Sequence, residues 1–429
     1  MISLFGESLS IGPDDLRGLV EAYLESCGQS LQRVLILPPD HTRLNSMAGV
    51  ITSILHEDLT AAGCEVDILP ALGTHNPMTE AQLRMMFGDS IPLDAFKVHD
   101  WRNGIACRGI VPGELLAELS GGKVDYPVRV EVSTRLLDGY DRIISVGQVV
   151  PHEVVGMANY TKNVVVGAGG SDIINKSHFL GAVCNMETIL GRADTPVRRL
   201  FNHAVAEFLG DLPVDYLLTV VEQDYATGRM HLRGFFAGDE EQVYIEASRL
   251  ARRVNVTLLE KEPRKVVVYL DPHEFQSTWL GNKAVYRTRM AIADGGELVV
   301  LAPALNEFGE DKTIDRLIRR HGYRGTGATL RAVEEDAELR ANLGAAAHLI
   351  HGSSEGRFDI TYCPGEGGLS LDEIRSVGFG AENYAVMTRR YNPEQLQDGF
   401  NTLPDGEEIF YISNPALGLW AFKDKFKED

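Results

Sequence analysis

The sequence predicts an α/β protein of two domains, each with a mainly parallel sheet, and an active site at the domain interface. Three observations predict this. The 429 residues exceed what one ordinary hydrophobic core serves. Apolar runs of strand length alternate with segments of helical period, the pattern of parallel βα units. Polar clusters follow the apolar runs, where ligands gather beyond the carboxyl ends of parallel strands.

The elements run in order. Val34–Leu37 reads as a buried strand stopped by Pro38-Pro39, and Met47–Ala62 as an amphipathic helix. Glu65–Pro70 is the next strand and Thr79–Phe87 the next helix. Arg142–Val150 is a strong strand, and the β-branched run Val164–Val166 a short one. A second series starts with the strand Val266–Leu270. It continues through a helix ending near Ala293, a Gly295-Gly296 turn and the strand Glu297–Ala302. Helical stretches at Thr313–Arg320 and Ala328–His351 precede a late strand, Ile409–Ile412. The charged, proline-containing segment Leu258–Arg264 marks the boundary, giving domains 1–262 and 263–429.

Composition excludes some functions. With 41 Lys and Arg against 61 Asp and Glu, the formal charge is −20, which disfavours nucleic acid or an anionic membrane as partner. A small anionic substrate remains compatible, since a few local cations suffice to bind one. The five cysteines are scattered and form no CxxC pair, so thiols are expected to be reduced. No secretory signal or bilayer-length apolar stretch is seen, and a cytoplasmic location is expected. A homo-oligomer is compatible with all of this.

Four polar loops follow four strands: Asp40 to Arg43, Gly73 to Asn76, Pro151-His152-Glu153 and Asp271 to Gln276. One shared site is expected. His75 and His152 suit proton transfer at opposite faces of one centre, because imidazole titrates near neutrality. His178 joins them as a third candidate, although any one histidine alone reads as structural. Lys162 is either a solvated lysine or, if desolvated, a nucleophile. Arg43 beside Asp40 is either a surface pair or a carboxylate clamp. The glycine-rich Gly167, Gly169, Gly170 and Ser171 stretch is a turn with a helix cap or a phosphate cradle. His348 and His351 read as structural, in a helix that serves packing or surface, and neither HExxH nor Gly-x-Ser-x-Gly occurs.

Taken together, these stretches resemble the lactate racemase family that carries a nickel-pincer nucleotide. The matching residues are Asp40-His41-Thr42-Arg43, Gly73-Thr74-His75-Asn76-Pro77-Met78-Thr79, Pro151-His152 through Gly156 to Lys162, and Gly167 to Ser177-His178. The intervals from His152 to Lys162 and from Lys162 to His178 are the specific part.

The resemblance implies inversion of C2 of a 2-hydroxy acid, by hydride transfer to and from pyridinium-3,5-bisthiocarboxylic acid mononucleotide nickel attached at Lys162. It implies His178 as nickel ligand, His75 and His152 as acid and base, and Arg43 on the substrate carboxylate. Asp40, Thr42 and the Gly167–Ser171 loop are expected on the cofactor. The enzymes that build the cofactor are expected as transient partners.

Two departures bear on the substrate. The family often has Ser-Gly-Gly before its lysine, where this chain has Asn159 and Tyr160 in the stretch Gly156 to Thr161. The family's lysine three residues after Gln276 is replaced by Trp279, with Lys283 nearby. Gln276, Trp279 and Lys283 are therefore the expected substrate contacts, and the acid is lactate or a larger hydroxy or sugar acid. Two other readings stay open from the residues alone: a divalent-metal hydrolase or lyase using the three histidines, and a non-catalytic small-anion binding protein.

Overall fold

The computed structural model describes residues 1–28, 31–224, 227–416 and 418–426. It divides into two compact units, one of residues 1–180 and 189–255, the other of residues 181–188 and 256–429.

The first unit is built on six strands: β1 (Ile2–Phe5), β2 (Arg33–Leu37), β3 (Glu65–Ile68), β4 (Arg142–Gln148), β5 (Val214–Gln223) and β6 (Met230–Gly238). Their order is β1-β6-β5-β4-β2-β3. The run β3-β2-β4-β5 is parallel, and β6 and β1 add an antiparallel edge. In β2, Val34, Leu35, Ile36 and Leu37 are fully buried, as a strand covered on both faces requires. Helices α1 (Pro13–Ser26), α2 (Ala48–Ala61) and α3 (Glu80–Phe87) belong to this half of the unit. Leu16, Val20, Ile51, Leu55 and Phe87 from these helices join Val34, Ile36 and Val146 in one core. Thr79 caps α3 in a reciprocal capping box with Gln82, which fixes the helix start where the loop after β3 ends.

Gly49 in α2 marks a close approach of α2 to α3: a Cβ there would stand 1.8 Å from the carbonyl oxygen of Met86. Gly49→Ala is expected to force α2 and α3 apart and destabilise the protein by about 1–3 kcal/mol, read from the urea midpoint. An unchanged midpoint would mean that this packing is loose.

The second unit holds the sheet order β10-β9-β8-β7-β12-β11. Its strands are β7 (Lys265–Tyr269), β8 (Gly296–Ala302), β9 (Phe358–Pro364), β10 (Gly380–Ala381), β11 (Gly399–Thr402) and β12 (Glu408–Ile412). All its pairings are parallel except β11 with β12. Val256–Leu259 pairs with Leu419–Phe422 in a separate two-stranded ladder of this unit. The expected α/β class with mainly parallel sheets is what the structure shows.

Three expected elements differ. Val164–Val166 is not a strand but part of a π-helical turn, Asn163–Gly167, in which the Ala168 amide reaches back to the Asn163 carbonyl at 3.1 Å. A three-residue β-branched run carries no periodicity that separates the two. The helix expected to end near Ala293 is two short helices, Thr278–Gly281 and Lys283–Tyr286. The long Ala328–His351 helix is three, because Asp336 and Asn342 turn their side chains onto following backbone amides and restart the helix. His348 and His351 are buried, which decides for packing over surface. Among the described residues, no helix is long and apolar enough to cross a membrane.

Candidate active site

Strand order reverses between β2 and β4, since β2 leads on to β3 and β4 leads on to β5. Such a switch point opens a crevice beyond the carboxyl ends of the strands. Asp40 follows β2, His75 follows β3 and His152 follows β4, so three sequence-marked loops meet the rule.

Lys162 is brought over the same point by its neighbour. Asn163 donates from Nδ2 to the Leu37 carbonyl at the end of β2 and to Ser145 Oγ on β4, both at 2.9 Å. The far end of the π-helical turn is tied to the His75 loop by the Gly73 amide, which donates to the Gly167 carbonyl at 2.8 Å. The preceding residues are unusual. Asn159 and Tyr160 stand in left-handed backbone at φ 65° and 58°. Such conformations cost about 1–3 kcal/mol each and persist only when the surroundings hold them.

Arg198, buried in α5 (Pro196–Phe208), does the holding. It donates to the carbonyls of Met157 (2.7 Å) and Asn159 (3.1 Å) and to Thr161 Oγ1 (2.8 Å), and its guanidinium lies 4.3 Å from the Tyr244 ring centroid. Tyr160 stacks on that same Tyr244 ring.

The hydrogen bonds fix a tautomer for each histidine. His75 donates Nδ1–H to the buried Asp40 carboxylate at 2.6 Å, leaving its Nε2 lone pair on an exposed ring. Burial works to raise the Asp40 carboxyl, but hydrogen bonds from His75 and Thr42 outweigh it and hold the group below its usual value. His178, on α4 (Ser171–Val183), donates Nδ1–H to the Ile174 carbonyl at 2.6 Å, so its Nε2 is also unprotonated. His152 is opposite: its Nδ1 accepts the Val154 amide at 3.1 Å, which leaves the proton on Nε2.

Electrostatics join these groups. Burial, then the charge of Arg43, lowers the Lys162 amine to about 8. Burial, then Lys162, lowers His178 to about 4. Burial pushes His152 well below 6.5; Glu153 opposes this, while Lys162, Arg43 and His178 reinforce it. Lys162 and His178 keep part of their surface accessible. Near neutrality His152 and His178 are therefore neutral, and Lys162 has an appreciable unprotonated, nucleophilic fraction.

A lysine depressed this way opposes folding fully below about pH 8, and the penalty fades as pH climbs toward 10.5. Lys162→Met is expected to raise stability at neutral pH by roughly 1–3 kcal/mol, with the gain shrinking between pH 8 and 10.5. Urea titrations at both ends of that range check it; a pH-independent gain would place the amine in ordinary solvent.

The remaining expected residues divide. Arg43 is exposed, and its charge is felt by both Lys162 and His152. Asp40 is engaged with His75 and Thr42 rather than serving as an orienter of Arg43. Thr42 gives its hydroxyl to Asp40 at 2.5 Å.

Two amides of the glycine stretch are engaged within the chain. The Gly169 amide donates to Val166 and the Gly170 amide to Glu131. A Cβ on Gly169 would meet the Val165 carbonyl at 1.8 Å, and one on Gly170 the Glu131 carboxylate at 2.5 Å. These glycines permit close backbone packing, and Ser171 opens α4.

Gln276, Trp279 and Lys283 lie together in the second unit. Trp279 packs its ring 4.4 Å from that of His348, and Lys283 pairs with Glu274 at 3.4 Å.

A metal held by protein ligands alone, as the hydrolase reading requires, finds no support: among the described residues no group of three His, Cys, Asp or Glu is so placed. The donor set does fit a metal that arrives with its other ligands. His178 offers one neutral imidazole nitrogen, with its second nitrogen fixed on a backbone carbonyl as metal-bound histidines have.

The fold and this site define an α/β protein with a lysine and histidines gathered at a switch point. Residues 17–189 match the family model described as the lactate racemase N-terminal domain. Over that stretch the chain is lactate racemase-like.

Solved structures agree in fold. A crystal structure of a Thermotoga maritima protein matches over 98% of this chain and 100% of that one, at 21% identity and TM-score 0.82. The lactate racemase apoprotein from Thermoanaerobacterium thermosaccharolyticum matches over 96% of this chain and 93% of that one, at 16% identity and TM-score 0.71. No curated protein matches the chain by sequence.

Proposed function

We propose that the protein is an isomerase that inverts C2 of a 2-hydroxy acid with a nickel-pincer nucleotide bound at Lys162. One observation carries the reading: the charges of Lys162, Arg43 and His178 act on His152, that of Arg43 on Lys162 and that of Lys162 on His178 at a switch point, with His75 oriented by Asp40. When bound, the group supplies an acceptor for the α-hydrogen and its electron pair, chemistry that two imidazoles alone cannot provide.

The chain's own residues do the rest. Lys162 would hold the group covalently, and His178 would offer its Nε2 to the metal. Arg43 binds the substrate carboxylate through a planar fork. His75 Nε2 takes the hydroxyl proton, with Asp40 stabilising the imidazolium that results. His152 serves the hydroxyl of the opposite enantiomer. Gln276, Trp279 and Lys283 are proposed as substrate contacts that discriminate among acids, lactate or a larger hydroxy or sugar acid.

The test is a panel of 2-hydroxy acids deuterated at C2, given to protein co-produced with the enzymes that make the cofactor. Inversion with the label retained at C2 is the expected result. Inversion with label lost to solvent would mean direct deprotonation and remove the hydride reading.

A further inference from the structure

His152 sits at the base of a tight hairpin, Pro151–His152 paired with Gly156–Met157, whose tip is Glu153-Val154-Val155. The hairpin is anchored at tip and base: Thr195 Oγ1 donates to the Val155 carbonyl at 3.0 Å, and the Gly191 amide to the Gly156 carbonyl at 2.9 Å. Two groups of this tip compete for the same nitrogen. The Val154 amide donates to His152 Nδ1 at 3.1 Å, and the Glu153 carboxylate stands 3.7 Å from that atom.

These two partners demand opposite protonation of Nδ1. An amide donor requires a bare nitrogen, whereas a carboxylate requires an N–H. In the observed state His152 is an Nε2–H tautomer. It can donate a hydrogen bond through Nε2 but has no Nε2 lone pair to receive a proton, and giving up that proton would leave an imidazolate. To act as base or acid at Nε2, His152 must carry hydrogen on Nδ1. His75 meets that condition already, through Asp40.

We propose that Glu153 is the positioning residue of His152: in the working site it replaces the Val154 amide as partner of Nδ1 and turns His152 into the counterpart of the Asp40–His75 pair. This deepens the racemase reading and rests on it. The resting site is thereby asymmetric. The enantiomer whose hydroxyl meets His75 gives its O–H proton to Nε2 of that ring. Its C2–H bond breaks with both electrons going to the acceptor named above, and a C2=O bond forms. The substrate is oxidised by two electrons and the acceptor reduced by two. The enantiomer whose hydroxyl meets His152 undergoes the same change only after Nδ1 has taken a proton from solvent, held against the Glu153 carboxylate, and Nε2 has released its own proton to solvent. Glu153 also works against the burial of His152 and favours its charged form.

Two measurements test this. In cofactor-free protein carrying 15N-labelled histidine, two-bond nitrogen–proton spectra read each tautomer, with assignment by His75→Gln and His152→Gln. The expected result is Nε2–H at His152 and Nδ1–H at His75. An Nδ1–H tautomer at His152 in this state overturns the switch. In loaded protein, keto acid formed from each pure enantiomer in a single turnover is trapped as a hydrazone. Glu153→Leu is expected to slow oxidation of one enantiomer by about tenfold or more and to leave the other within about threefold, with Glu153→Asp restoring part of the loss. Equal slowing of both, or of neither, overturns the role of Glu153, since a merely structural loss would not choose an enantiomer. If loaded wild-type protein oxidises neither enantiomer of any acid, the racemase reading itself falls and takes the working role of Glu153 with it; the spectra then still decide the tautomers.

Discussion

Lys162→Ala is expected to yield a folded protein that never retains cofactor. The physical argument is local. The Lys162 amine is lowered to about 8 by burial and by Arg43, so an appreciable fraction is nucleophilic near neutrality, unlike a surface lysine. Asn163, two strand ends and the Arg198 clamp fix where that amine stands. Removing the side chain deletes the attachment atom and leaves this framework intact. Wild-type protein co-produced with the cofactor enzymes should show a mass increment on the peptide containing Lys162, together with visible absorption. The variant should show neither while its unfolding transition stays cooperative. Retained absorption with a mass increment elsewhere would move the anchor to another residue.

His75→Ala and His152→Ala are each expected to cost about two to four orders of magnitude in turnover, the usual worth of a positioned proton-transfer group. They should differ in other respects. His75 is exposed and its ring is held by one carboxylate, so its removal leaves the buried, negatively charged Asp40 without its imidazole partner and should lower stability modestly. His152 is buried in the hairpin, and its removal also orphans the Val154 amide. Racemisation measured from both enantiomers, with urea midpoints alongside, separates the chemical loss from the structural one. Near wild-type turnover in either variant would end the two-histidine mechanism.

How much of this was legible in the sequence differs from element to element. Val34–Leu37 and Glu65–Ile68 are visible because their apolar runs are bounded by prolines and polar loops, and the residues after them are the site loops. Thr79 with Gln82 is a helix start that the sequence announces through local hydrogen-bond chemistry. By contrast, Val214–Gln223 and Met230–Gly238, which carry the antiparallel edge, are not singled out by the alternation that marks the parallel βα units. Asn163 was hidden at the head of an apolar run that reads as a strand. The signal that could have found it is a polar residue directly beside the lysine. Arg198 gave no signal at all, because a basic residue in the first turn of a helix is normally solvated.

The sequence by itself determined the α/β class, the succession of strands and polar loops, and the spacing of His75, His152, Lys162 and His178. These depend on local patterning and on chemistry carried within short segments. Only the tertiary structure decided that Val164–Val166 winds into a π-helical turn, that the glycine loop spends its amides on Val166 and Glu131, and that an arginine from a distant helix clamps the lysine turn. It also decided which nitrogen of each imidazole carries hydrogen. Each of these depends on a backbone group or charge brought close by folding, and a donor's partner is set by distance in space rather than by separation along the chain.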